Sequence, residues 1–115
     1  MSEISTNADP GATGWAIRDG IVRLRVFASE RSYELAGAEN WVLGTAPDCS
    51  IQLDDATGRV SRRHACIEWR EGAFVISDLG STNGIRQDGE DRKAFPLAPG
   101  VEVDLGGVKL IAESP

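Results

Sequence analysis

The amino-acid sequence predicts an all-β protein, an antiparallel β-sandwich, on three observations. Apolar and polar residues alternate in short runs such as "VRLRV" (22–26) and "VEVDL" (101–105). Gly, Pro and Asp punctuate the chain between those runs at even spacing. No segment carries a helical period over three turns, so nothing competes with strands for the chain. At 115 residues one domain is expected. A chain of that size buries roughly two-thirds of its unfolded surface, enough for a core without staples.

Residues 1–19 are polar, rich in Ser, Thr, Asn and Gly, and without an apolar period; they read as a mobile tail ahead of a domain over 20–113. Periodicity starts at "IVRLRVF". Val22, Leu24 and Val26 share one face and Arg23 and Arg25 the other, as in a half-buried strand. "WVLG" (41–44) and "SIQLD" (50–54) form two strands divided by "TAPDC", where Pro47 and Asp48 suit a turn. In "HACIEW", Ala65, Ile67 and Trp69 fall on one side and Cys66 and Glu68 on the other. The short "REG" before "AFVISDL" (73–79) predicts a hairpin, and Asp88-Gly89 a second tight turn. "VEVDL" sets Val101, Val103 and Leu105 against Glu102 and Asp104, and Gly106-Gly107 then reverses the chain into "VKLIA". Trp15, Trp41 and Trp69 are expected in the core or at its edge.

Composition narrows the function. The net charge is −6 and the pI about 4.7, which opposes general nucleic-acid binding. The longest apolar stretches are far below the ~18 residues a membrane span needs. The N-terminus has neither a basic region nor an apolar one, so no secretory signal is expected and cytoplasmic residence follows by default. Cys49 and Cys66 are not in CxxC spacing and have only His64 to join them, too few for a four-ligand zinc site. They read as reduced, largely buried thiols, and no metal or cofactor is expected.

Against that acidic background "GRVSRRH" (58–64) stands out, with three arginines and the chain's only histidine. Loops at the end of a sandwich carry function. Three are overdressed for mere connection: Gly44-Thr45 in "LGTAPD", Arg59, Ser61, Arg62, Arg63 and His64 in "DDATGRVSRRH", and Ser81, Thr82, Asn83 and Gly84 in "DLGSTNG". By themselves the arginines could be a solvated loop paired with Asp54, Asp55 or Asp78.

"SRRHACI", then "DLGSTNG", then "LAPGVEVDLGGVKL" resembles the forkhead-associated (FHA) domain, a phosphothreonine-peptide reader, over about Val22 to Ala112. The resemblance implies a sandwich of about eleven short strands with its ligand loops at one end. It implies that Ser61 donates its hydroxyl to the phosphate and that Arg62 adds a charged contact. It also implies that Asn83 pairs with the peptide backbone. His64 would brace the loop, Thr82 would tie its loop to the neighbouring one, and Gly84 would permit the turn. A phosphate dianion wants several converging charge-assisted donors, and an amide reads an extended backbone with donor and acceptor together.

One position departs from the family pattern. The usual Gly-Arg pair ahead of the loop is here Gly44-Thr45, and that arginine is the family's main phosphate anchor. Threonine offers a hydroxyl without the charge or fork of a guanidinium. Either Arg59 or Arg63 compensates, or the module binds partners phosphate-independently by other surfaces. Enzyme activity is not expected: a Ser61–His64–Asp78 triad can be written down, but no nucleophile elbow accompanies it. The implied partner is a Thr-phosphorylated protein or peptide, with no nucleic acid and no membrane. FHA readers often prefer an acidic or apolar residue three places after the phosphothreonine. Thr6, with Asp9 three places on, is therefore a candidate ligand within the protein's own tail. Such domains sit in signalling or transcription regulators, and "KLIAESP" loosely resembles the end of FHA domains in bacterial transcription activators.

Overall fold

The computed structural model describes residues 21–36, 40–55 and 57–114. The expected tail over 1–19, with Thr6, Asp9 and Trp15, lies outside the described residues. Among the described residues the chain forms eleven strands in two facing sheets. In chain order they are β1 (Ile21–Val26), β2 (Ser32–Ala36), β3 (Asn40–Gly44), β4 (Ile51–Gln52), β5 (Ala65–Arg70) and β6 (Ala73–Asp78). They continue with β7 (Ile85–Gln87), β8 (Glu90–Arg92), β9 (Ala94–Pro96), β10 (Glu102–Leu105) and β11 (Val108–Glu113). One sheet runs β9-β6-β5-β3-β4, the other β2-β1-β11-β10-β7-β8. Among the described residues no helix is long and apolar enough to cross a membrane.

The alternation read from sequence sets the two faces of each sheet. Val22, Leu24 and Val26 point inward with Leu110 and Ala112, while Arg25 lies outside and donates to Glu113 from Nε and Nη2 at 3.2 and 3.0 Å. From the other sheet Leu43, Ile51, Ile67, Phe74 and Ile76 fill the same core. Trp41 and Trp69 are core-edge residues, meeting the buried Phe74 ring edge-on at centroid distances of 5.7 and 4.8 Å. Tight hairpins close at Glu71-Gly72, Asp88-Gly89 and Gly106-Gly107, each with two left-handed residues in succession.

The sandwich is not wholly antiparallel. β4 pairs with β3 in parallel, Leu43 opposite Ile51 and Gly44 opposite Gln52. The cause lies in the intervening turn. Thr45 and Ala46 spend their amides on the carbonyls of Ser61 and Arg62, at 3.2 and 3.1 Å. The chain therefore loops outward through Pro47 and Asp48 before returning to place Ile51 in the core.

Candidate functional site

Four connections meet around residues 59–64. The approach to them is shaped by Asp55. Its carboxylate accepts the Val60 amide at 2.6 Å, the Thr57 amide at 3.0 Å and the Thr57 hydroxyl at 2.6 Å. The Thr57 hydroxyl, followed by the Val60 amide, holds the Asp55 pKa down at about 2. This cap fixes where the chain turns before Ser61, and the D-x-T spacing is a turn signal that the sequence does carry.

Gly44 decides how close the next segment comes. A Cβ there would sit 2.0 Å from the Arg62 carbonyl oxygen and 2.9 Å from that of Ser61. Only a residue without a side chain lets the β3 backbone lie against the 59–64 loop. Cys49, buried in the same turn, donates its thiol to the Arg62 carbonyl at 3.1 Å. Cys66 is half-buried on the sheet, where burial raises its thiol pKa.

His64 is fully buried. Its Nδ1 accepts the Ser61 amide at 3.0 Å and its Nε2 faces the Gly84 carbonyl at 2.7 Å. A carbonyl can only accept and a backbone amide only donate, so the ring is the neutral tautomer with its proton on Nε2. Its own amide donates to Leu43 at 2.8 Å and its carbonyl accepts from Leu79 at 3.0 Å. One residue thus joins the ends of β3, β5 and β6 and the 79–84 loop. The triad drawn from sequence is not assembled: both ring nitrogens are spent on backbone groups, and Asp78 bonds Ser81 and Gly80 instead.

Ser61 and Asn83 are brought to one rim. The Ser61 hydroxyl accepts the Thr82 amide at 3.4 Å, so it is the backbone of Thr82 that links its loop to the serine. Asn83 Nδ2 donates to the Arg59 carbonyl at 2.9 Å. Gly84 adopts φ 73° and donates its amide to the Ser81 hydroxyl at 2.9 Å. Thr45 lies alongside, its backbone N–H donating to the Ser61 carbonyl, and its own carbonyl accepts from Gln52 Nε2 at 3.1 Å.

The three arginines diverge. Arg62 is exposed and has no ion-pair partner among the described residues, and its carbonyl is held from two sides. Arg63 is ion-paired with Asp48. Arg59 extends toward the β10–β11 hairpin, its Nη2 3.5 Å from where a Cβ on Gly107 would stand. A Cβ on Gly106 would lie 2.4 Å from the Arg59 carbonyl, so this glycine, read in the sequence only as part of a turn, is also what lets the hairpin close on the loop. Asn83 and Gly84 form a ridge between two hollows. One, of about 270 Å³, is flanked by Arg59, Arg86 and Gly107. The other, of about 360 Å³, is flanked by Thr82, Arg92 and Lys93.

The model of the FHA domain family matches residues 41–106, which contain the ridge, the serine and the buried histidine. The chain belongs to the FHA family. Among relatives of this FHA domain, the oxoglutarate dehydrogenase inhibitor of Corynebacterium diphtheriae is 41% identical over 68 residues, 59% of this chain and 46% of that protein. Glycogen accumulation regulator GarA of Mycolicibacterium smegmatis is 43% identical over 68 residues, 59% of this chain and 42% of that one. The chain thus spans under half the length of these curated relatives. A solved FHA domain described for phosphothreonine-dependent interactions superposes with a TM-score of 0.74 at 30% identity, covering 83% of this chain and 97% of that one. Mycobacterium tuberculosis EmbR, solved with a low-affinity phosphopeptide, gives 0.72 at 33%, covering 82% of this chain and 24% of that one.

Proposed function

We propose that residues 20–113 are a phosphothreonine-peptide recognition domain of a cytoplasmic signalling or transcription regulator, joining it to a Thr-phosphorylated partner, with residues 1–19 as a tail. What carries the reading is that, on an FHA fold, the loops of Ser61 and Asn83 are hydrogen-bonded to one another, and Arg62, next to Ser61 in the chain, is exposed and without an ion-pair partner among the described residues. Ser61 donates to a phosphate oxygen. Arg62 supplies the charge that Thr45 lacks, and the Thr45 hydroxyl adds a neutral donor. Arg63 reaches the phosphate only by leaving Asp48. Asn83 exchanges its Arg59 bond for the ligand backbone or keeps it and reads with its remaining donor and acceptor. His64, Gly44, Thr82 and Gly84 hold the loops in place and need not touch the peptide. Relatives named as an inhibitor and a regulator support a non-catalytic role.

The test is calorimetric titration with a phosphothreonine peptide library and its unphosphorylated twin. Equal affinity for the two forms overturns the reading and favours the phosphate-independent interaction module that Thr45 also suits. The tail is a candidate ligand in the same reading: phospho-Thr6, with Asp9 three places on, docks on a second copy or on its own domain. A phospho-Thr6 peptide that leaves the Ser61 and Asn83 amide shifts unchanged removes that candidate.

A further inference from the structure

The turn that carries Thr45 is laid along the loop that carries Ser61. The Thr45 and Ala46 amides donate to the Ser61 and Arg62 carbonyls at 3.2 and 3.1 Å, and the Cys49 thiol donates to the Arg62 carbonyl at 3.1 Å. Gly44, just ahead of that seam, has no Cβ to hold the two backbones apart. Thr45 and Ser61 stand at one end of the seam. At the other end Arg63 donates from Nη2 to the Asp48 carboxylate.

The turn itself carries a neutral Thr45 and a carboxylate, Asp48, that has drawn a guanidinium across from the loop. The cation beside this turn is therefore held by a bond that can be exchanged. Both partners are exposed, Arg63 over 54% and Asp48 over 65% of their side chains, and an exposed ion pair contributes little. A phosphothreonine brings close to two negative charges and three acceptor oxygens, against the single charge of Asp48. A phosphate bound at Ser61 and the fixed carboxylate then compete for one guanidinium.

We propose that Asp48 is an affinity-setting residue, an internal stand-in for the phosphate that holds Arg63 until a phosphothreonine at Ser61 takes the guanidinium over. The inference rests on the phosphothreonine reading and adds to it a residue outside both loop motifs. Arginine has several rotatable bonds, so its head pivots from one end of the seam toward the other without movement of the backbone. Binding at the Thr45 turn then depends on an exchange of partners, and any anionic ligand must first offset the bond to Asp48.

The experiment is a double-mutant cycle. One phosphothreonine peptide and its unphosphorylated twin are titrated calorimetrically into the unmodified protein, Asp48→Asn, Arg63→Ala and the double variant, with melting curves to establish that each is folded. Asp48→Asn should tighten the phosphorylated peptide about fivefold, roughly the full worth of an exposed ion pair, and leave the twin unchanged. In the Arg63→Ala background the same substitution should change affinity by less than about twofold, because no guanidinium is left to release. The Arg63 Nε–Hε resonance of the unmodified protein should shift with the phosphorylated peptide and stay in place with the twin. A gain below about twofold in Asp48→Asn, an equal gain with and without Arg63, or an unmoved Arg63 resonance overturns the proposal while phosphate dependence stands. Equal affinity of the unmodified protein for the two peptides would overturn the underlying reading instead.

Discussion

His64→Phe isolates what the buried ring does. Phenylalanine keeps the shape and the burial but removes both nitrogens. The Ser61 amide and the Gly84 carbonyl, bonded to the ring at 3.0 and 2.7 Å, then lose their partners on the side that faces a fully buried ring, in residues that are themselves half-buried. Leaving a buried polar group unsatisfied costs about 1–3 kcal/mol, so the pair should cost about 4 kcal/mol. Against a total stability of roughly 5–15 kcal/mol for a domain, that is a large share. At roughly 4–8 °C per kcal/mol for a domain of this size, the melting temperature should fall by about 16–32 °C. Guanidinium denaturation measures it: the midpoint should drop with an unchanged slope, because the surface exposed on unfolding is the same. Phosphopeptide affinity should fall as well, since Ser61 and the 79–84 loop lose their common brace. A loss below about 1 kcal/mol would refute the reasoning, because packing alone would then hold the loops.

Three other outcomes follow from the same geometry. Gly44→Ala should destabilise the fold at the upper end of the roughly 1–3 kcal/mol typical of overpacking, because the new methyl meets a backbone carbonyl at 2.0 Å; thermal melting reads it, with loss of the native Ser61 amide shift. Thr45→Arg should tighten phosphothreonine binding by about 10- to 150-fold, the worth of one charge-assisted contact at roughly 1.5–3 kcal/mol; unchanged titration curves would mean that a guanidinium already fills that place. Asp55 is held at about 2, below its ordinary 3.8, so its cap is intact above the ordinary value and is lost as the pH falls through about 2. Val60 amide protection, followed by hydrogen exchange from pH 5 down to 1.5, should fall over that window and be lost at every pH in Asp55→Asn.

Much of the sandwich was legible because strand chemistry is local. Val22, Leu24 and Val26, or Val103 and Leu105, declare their face by alternation, and Asp88-Gly89 declares its turn by residue type. The parallel β3–β4 pair was not legible. Its cause is a pair of amides captured by carbonyls sixteen residues away, which no local period records. The site divides in the same way. The motif residues announced themselves by type and spacing, whereas the clash that requires Gly44, the reach of Cys49 to Arg62 and the closure over Gly106 are contacts between segments distant in the chain.

From sequence alone came the all-β class, the strand faces, the hairpins and the identity of the chemical groups at the loops. The direction in which each arginine points came only from the folded chain. Arg62, Arg63 and Arg59 are the same side chain to any sequence pattern, yet one has no ion-pair partner among the described residues, one is tied to Asp48 and one lies along Gly107. A long flexible side chain takes its direction from the charges and gaps that other strands bring beside it, and those exist only once the two sheets have closed on His64.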